Sequence, residues 1–92
     1  MKDTHKISSN IARTAALLRR FDHSQWADRF EECSLALPQD KAYALSRLMS
    51  LYGGMGSIND VVLYENAKPL LDENNELQGL LSDLHQLCAE SR

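Results

Sequence analysis

Three histidines and two cysteines are the residues of this chain best suited to hold a metal ion or to act as nucleophiles. His5, His23 and His85 lie far apart, and no two of them have the spacing of four residues that places ligands on one helix face. Cys33 and Cys88 each fall on an apolar helical stripe, where a thiol packs as a small hydrophobic group. We therefore expect no metal site, no cofactor and no catalytic nucleophile, and we interpret the protein as a non-enzyme.

A glycine-rich segment at residues 53–56 has the composition of a phosphate-binding loop. Such loops expose backbone N–H groups at the start of a helix. A P-loop also needs a lysine before its final Ser or Thr, whereas here Ser57 follows a glycine and precedes Ile58. We interpret the segment as a tight turn between helices, with Met55 packed into the core.

The residues after this turn are suited to begin a short helix. Ser57 is the predicted N-cap, and Ser57 with Asp60 has the spacing of a capping box in which Asp replaces Glu or Gln. Asn59 and Asp60 can also accept backbone N–H groups there. A strand at Val61–Tyr64 would have nothing to pair with, so a short helix is favoured. An enzyme or ligand sensor at this turn would need a deep pocket lined by Tyr52, Ser57, Asn59 and Asp60.

Apolar spacing predicts the elements that position these residues. Helices are expected over residues 5–20, from a break at 21–24 to about Leu37, over 41–52 and over 73–90, with a polar connection at 65–72. The stripe residues are Ile7, Ile11, Ala15 and Leu18; Trp26, Phe30, Cys33 and Leu37; Leu45, Leu48, Met49 and Tyr52; and Leu77, Leu80, Leu81, Leu84, Leu87 and Cys88.

Helix ends are indicated by capping residues and by proline. Asp22 or Ser24 is the candidate N-cap of the second helix, Pro38 stops that helix, and Asp40 is the candidate N-cap of the third. Gly79 lies inside the last helix, where glycine costs about 1 kcal/mol relative to alanine. The predicted fold is all-α: one domain over residues 1–92, a bundle of four main helices plus a short helix after the glycine-rich turn, with antiparallel neighbours.

Charge is distributed unevenly along the chain. The net charge is −3, and residues 1–59 contain eight Lys and Arg against six Asp and Glu, whereas residues 60–92 contain two against seven. This balance argues against a general nucleic-acid binder and favours a basic protein partner. No apolar run approaches the ~20 residues of a membrane span, and no apolar segment follows Met1–Lys6 as in a signal peptide, so we expect no membrane contact and a cytoplasmic location with reduced thiols.

Two sets of residues are candidates for contacting such a partner. Carboxylates of the last third would supply the charge, and aromatic side chains would anchor the contact if they are exposed. The carboxylates are Asp60, Glu65, Asp72, Glu73, Glu76 and Asp83, and the aromatic residues are Trp26, Tyr43, Tyr52 and Tyr64.

The segment Tyr52–Leu63, which reads YGGMGSINDVVL, resembles an uncharacterised bacterial family of small helical proteins with a YGGMGSxND signature. Leu17–Arg20, Trp26-Ala27 and Glu31-Glu32 add to the resemblance, which extends over about residues 14–90; after Leu63 the connection to the last helix departs from the family pattern. The signature residues are Tyr52, Gly53, Gly54, Met55, Gly56, Ser57 and Asn59, and we interpret them mainly as structural. Members of the family are similar to small proteins encoded beside polymorphic and contact-dependent toxins, which implies an immunity role.

Small size, an acidic last third and this resemblance together predict an immunity protein of the contact-dependent growth-inhibition type. It would bind a cognate bacterial toxin, such as a nuclease, and occlude the active site with an acidic surface formed chiefly by Asp72, Glu73, Glu76 and Asp83. The toxin is expected to be basic where it makes contact. The alternative is a homodimeric structural or regulatory helical module that associates through leucines of the last helix.

Overall fold

The structure, a computed structural model, describes residues 2–53 and 56–91. These residues are mostly helical, as predicted, and they also form a short β-hairpin that was not predicted. The helices are α1 (Lys2–Arg20), α2 (Ser24–Ala36), α3 (Lys41–Ser50) and α4 (Leu71–Glu90); between α3 and α4 lie a 3₁₀ turn, η1 (Ile58–Asp60), and the strands β1 (Tyr64–Glu65) and β2 (Lys68–Pro69).

Each helix places its apolar stripe in one shared core, and α1 packs against both α2 and α4. Most of the predicted stripe residues are buried, which confirms the helical periodicity, and Trp26, Met49, Tyr52 and Leu87 are half-buried at the margin. Five apolar residues of α4 are buried in this core: Leu77, Leu80, Leu81, Leu84 and Cys88.

A buried polar pair joins α1 to α4. The Asn10 side-chain amide donates to the carbonyl of Leu80 over 3.0 Å, and the Thr14 hydroxyl donates to Asn10 Oδ1 over 3.1 Å. Buried amides and hydroxyls are costly unless they are hydrogen-bonded, so this pair fixes one relative position of the two helices.

The turn between α1 and α2 differs from the prediction at its cap. Asp22 has a φ of 68°, and the His23 N–H donates to the Leu18 carbonyl over 2.9 Å, which is how a left-handed residue ends a helix. Asp22 therefore ends α1 and does not begin α2. His23 occupies the N-cap position without a side-chain cap bond, so the prediction of Asp22 or Ser24 as the cap is wrong.

The connection from α2 to α3 follows the sequence signals. Helix α2 ends at Ala36, just before Pro38, and the Asp40 carboxylate accepts the Tyr43 backbone N–H over 3.1 Å. Asp40 is thus confirmed as the N-cap of α3. The helix ends at Ser50, two residues before the predicted end at position 52.

Residues 58–70 differ most from the prediction. The expected short helix is only the single turn η1, after which the backbone at Val61 is extended (φ −74°, ψ 129°). The predicted polar connection at 65–72 overlaps a hairpin, residues 64–69, in which Tyr64 pairs with Pro69 and Glu65 with Lys68. Helix α4 begins at Leu71, two residues before the predicted start at 73.

Candidate functional site

The turn before η1 is held by one glycine and one carboxylate. Gly56 has a φ of 72°, a conformation that glycine adopts without steric cost. Its N–H donates to the Asp60 carboxylate over 2.8 Å, whereas the buried Ser57 side chain makes no cap bond. The predicted Ser57–Asp60 capping box is therefore wrong, because Asp60 accepts from Gly56 instead. Gly54 and Met55 lie outside the described residues, so the predicted burial of Met55 stays a prediction.

A second contact closes the segment onto the end of α3. The Asn59 amide donates to the Tyr52 carbonyl over 3.0 Å, and the Ile58 N–H donates to the Leu51 carbonyl over 2.9 Å. Asn59 thus acts as a donor, whereas we had predicted that it would accept a backbone N–H. A Cβ added to Gly53 would meet no atom within 4 Å, so packing at this position does not require glycine.

Tyr52 connects this segment to α4. Its hydroxyl donates to the Leu81 carbonyl over 2.7 Å, and its ring meets the His85 ring edge-on at 5.3 Å between centroids. Burial raises the pKa of Tyr52 well above its usual value, so the hydroxyl stays protonated and keeps donating.

A shallow depression of about 460 Å³ lies between Tyr52 and the polar side of α4. Of the four residues that an enzyme or sensor site would need, only Tyr52 and Asn59 line it; Ser57 is buried, and Asp60 is bonded to Gly56. The structure thus brings together half of that predicted set. The described lining residues are Tyr52, Asn59, Gln78, Leu81, Ser82, His85 and Gln86, among which there is no pair of carboxylates for acid–base chemistry.

The hairpin is attached to α4 by the half-buried side chain of Asn74. Its Oδ1 accepts the Leu63 N–H over 2.7 Å, and its Nδ2 donates to the carbonyls of Leu63 (3.0 Å) and Leu70 (2.7 Å). The Leu70 N–H also donates to the Leu63 carbonyl over 3.0 Å. In an antiparallel ladder, the Leu63 N–H would donate directly to the Leu70 carbonyl. Here the Asn74 side-chain amide bridges these two groups instead, since it accepts from the first and donates to the second.

Three of the large apolar side chains that are exposed lie within ten residues around this hairpin. Val62 is 39% exposed, Tyr64 53% and Leu71 75%. Leu35 and Tyr43 are also exposed but lie on α2 and α3. Of the four aromatic residues proposed as anchors, Tyr43 and Tyr64 are thus exposed, and Trp26 and Tyr52 are half-buried.

Four of the five acidic residues of α4 lie on one face of the helix. Asp72, Glu76 and Asp83 are exposed, and at about 100° per residue their directions fall within about 40° of one another. Glu90, one of the seven acidic residues of the last third, lies seven residues after Asp83 and has the same direction. We call Asp72, Glu76, Asp83 and Glu90 the acidic face.

The other predicted acidic residues do not belong to this face. Half-buried Glu73 points about 80° round α4 from Asp83, on the side of the core. Asp60 holds the Gly56 turn, and Glu65 lies on the hairpin opposite Lys68. The structure therefore aligns three of the six predicted carboxylates and distributes the other three among the turn, the hairpin and the helix flank.

Two cations of α1 lie near Asp83, one carboxylate of the acidic face. Lys6 and Arg13 line a depression of about 310 Å³ together with Asp83. Among the described residues, ion pairs within 4 Å are formed only by Arg19, with Asp28 at 2.7 Å and with Glu31. In the part of the chain that the structure describes, the carboxylates of the acidic face thus have no cationic partner within 4 Å.

The residues considered for metal binding and nucleophilic chemistry remain apart. In residues 2–53 and 56–91, no group of three or more His, Cys, Asp or Glu side chains converges to hold a metal ion. Cys33 and Cys88 are buried, and burial raises the pKa of the Cys33 thiol, which disfavours the reactive thiolate.

The chain matches the family described as "Domain of unknown function (DUF6966)" over residues 19–71, and it therefore belongs to this family. The matched region runs from the end of α1 through the hairpin, whereas nearly all of α4 lies beyond it. No curated protein and no solved structure matches the chain. None of the helices within the described ranges combines the length and the apolar character needed to cross a membrane.

Proposed function

We propose that this protein is a non-enzymatic immunity protein that binds a cognate bacterial toxin and occludes its active site. The observation that carries the proposal is the alignment of Asp72, Glu76 and Asp83 on one exposed face of α4, where no cation of the described part of the chain lies within 4 Å of them. Unpaired carboxylates on one face attract a basic surface and disfavour acidic ones. A toxin that acts on nucleic acid, such as a nuclease, has a basic surface of this kind, since Lys and Arg side chains line its substrate groove.

The hairpin supplies the apolar part of such a contact. Tyr64, Val62 and Leu71 are exposed close to the start of α4, where the acidic face begins. Interfaces derive most of their binding free energy from a few aromatic and aliphatic anchors, while charges at the rim set orientation and association rate. The hairpin together with the acidic face would therefore form the proposed contact surface.

The cations on α1 give this surface a direction. Lys6 and Arg13 lie beside Asp83, so a basic partner is repelled from the α1 side of this surface and displaced towards the hairpin. A contact that extends from Asp83 to Tyr64 would keep the basic partner away from the α1 cations and bring it onto the hairpin. In the cell, the proposal places the protein in the cytoplasm with the incoming toxin.

Co-expression with a candidate toxin encoded by a neighbouring gene tests the proposal. We expect rescue of growth, a dissociation constant below about 1 μM, and an association rate that falls as salt rises. Failure to rescue growth together with no binding at micromolar concentration would reject the immunity role.

A charge-matched pair of variants tests the face itself. Replacing Glu76→Gln and Asp83→Asn removes two charges from the acidic face, and we expect about tenfold weaker binding at low salt. Replacing Asp22→Asn and Glu32→Gln removes the same charge elsewhere; Asn also accepts the positive φ of Asp22. Equal affinities for the two double variants would show that contact is made elsewhere.

A homodimeric module is the second candidate, and the exposed apolar residues of the hairpin favour it. Most of the leucines expected to mediate it are buried in the core and Leu87 is half-buried, so a dimer would instead use the exposed Val62, Tyr64 and Leu71. Sedimentation velocity at low micromolar concentration separates the candidates, because the toxin-binding proposal does not require a dimer of this chain.

A further inference from the structure

The extended segment Val61–Glu65 alternates between the core and the solvent. Val61 and Leu63 are 9% and 0% exposed, whereas Val62 and Tyr64 are 39% and 53% exposed. This is the period of two expected of a strand with one face on the core. The segment thus presents a β-branched and an aromatic side chain outward, the residue types that fit strand pairing best.

The backbone groups of this segment face two directions. The N–H and carbonyl of Leu63 are bonded towards Asn74 and Leu70. In an antiparallel pair, successive residues direct these groups to opposite sides. The N–H and carbonyl groups of Val62 and Tyr64 therefore point away from β2, and within the described residues no bond to them is formed on that side.

The two edges of the hairpin differ in their ability to accept another strand. The outer edge of β2 carries Pro69, which has no N–H, and Lys68, and both residue types protect edges from pairing. The outer edge of Val61–Glu65 has neither. It is flanked by Asp60 before it and ends with Glu65, so both of its ends are acidic.

We propose that the outer edge of Val61–Glu65 binds its protein partner by strand addition. The occupant is an extended segment with apolar residues at its centre, against Val62 and Tyr64, and with Lys or Arg at its ends, opposite Asp60 and Glu65. Main-chain bonds would supply affinity, and the two acidic ends would select a basic segment. The inference rests on the proposed function in that the natural partner is the basic toxin.

A peptide tests this edge without the toxin. The probe is a cyclised β-hairpin peptide whose outer strand reads Lys-Val-Thr-Val-Lys. In NMR titrations of the full chain, we expect the largest shifts and slowed amide exchange at Val62 and Tyr64, with Leu63 and Leu70 unchanged because their amides are already bonded. A control peptide N-methylated on its pairing edge should bind at least about tenfold more weakly.

A matched pair of variants tests the chain side of the contact. Val62→Thr keeps a β-branched side chain and should bind the basic peptide as before. Val62→Lys places a cation on the edge and should abolish binding. Both variants should retain the spectrum of α4, which verifies that the chain is folded.

Several results would overturn the inference. One is equal binding of the N-methylated and the unmodified peptide, and another is no binding of the unmodified peptide at ~1 mM. A third is that the NMR shifts centre on Glu76 and Asp83 instead of Val62 and Tyr64. Concentration-dependent protection of the Val62 and Tyr64 amides without peptide would assign the edge to a second copy of this chain and would also overturn it. Peptide pairing at the edge without toxin binding would leave the inference standing and reject the immunity role, so the two failures are distinguishable.

Discussion

Replacing Asn74 by alanine removes the side chain that attaches the hairpin to α4. Three hydrogen bonds are lost, two to Leu63 and one to Leu70, at distances from 2.7 to 3.0 Å. At about 1 kcal/mol net for each bond, the loss in unfolding free energy is about 3 kcal/mol. Alanine is the better helix former and returns a few tenths of a kcal/mol, so we expect a net destabilisation of about 2–3 kcal/mol.

Asn75 provides a matched control for this change. It is the next residue of the same helix and is exposed, so Asn75→Ala changes helix propensity without removing a described hydrogen bond. We expect this variant to be as stable as the parent chain or slightly more stable. The difference between the two alanine variants then measures the attachment of the hairpin.

Urea unfolding and native-state amide exchange give the two readouts. The urea midpoint of unfolding should be lower than that of the parent chain for Asn74→Ala only. In this variant, the Leu63 and Leu70 amides should lose protection from exchange before the amides of the core helices do. If both variants agree within about 0.5 kcal/mol and the Leu63 amide keeps its protection, Asn74 does not hold the hairpin.

Three further predictions concern single residues. Gly79→Ala should stabilise the chain by about 1 kcal/mol in thermal unfolding, because an added Cβ there meets no atom within 4 Å; a loss of stability would mean that the site is closely packed. Ala67→Gly should also stabilise by about 1 kcal/mol, because Ala67 has a φ of 65°, and an unchanged melting temperature would contradict this conformation. Because the pKa of Tyr52 is raised, the parent chain should lose stability above about pH 10, where tyrosine in the unfolded chain ionises and folded Tyr52 does not. Tyr52→Phe should lower the unfolding free energy by about 1 kcal/mol at neutral pH and make its alkaline decline shallower. Identical alkaline slopes for the two proteins would refute the burial of the hydroxyl.

The helices were readable from the sequence because each one buries a stripe at helical spacing. The stripe of α4, from Leu77 to Cys88, is confirmed residue by residue apart from half-buried Leu87. Asp40 was also readable, since an acidic residue directly before an apolar period is a local signal. In these cases the information lies within a few residues of chain.

The hairpin was not readable for equally local reasons. A strand at Val61–Tyr64 was rejected because no second strand was apparent, and its partner is only Lys68–Pro69. The turn between them has positive φ at both Asn66 and Ala67, but Asn-Ala lacks the glycine that usually marks such a turn. The attachment through Asn74 is a tertiary contact, and no residue spacing in the sequence predicts it.

The candidate surface was readable in part. The acidic last third was readable from its composition, and a rotation of about 100° per residue along α4 aligns Asp72, Glu76, Asp83 and Glu90 but not Glu73. The bond from Gly56 to Asp60 depends on the backbone conformation of one turn, and the cations beside Asp83 depend on how α1 packs against α4, so both required the structure.

Carbodiimide labelling of carboxylates in a complex with the proposed cognate toxin examines the proposed contact directly. Mass spectrometry would report how strongly each Asp and Glu is modified in the free and bound chain. We expect binding to protect Glu76 and Asp83 while Asp22 and Glu32 stay labelled to the same extent. Full labelling of Glu76 and Asp83 in a saturated complex, with protection elsewhere, would show that the toxin does not bind the acidic face.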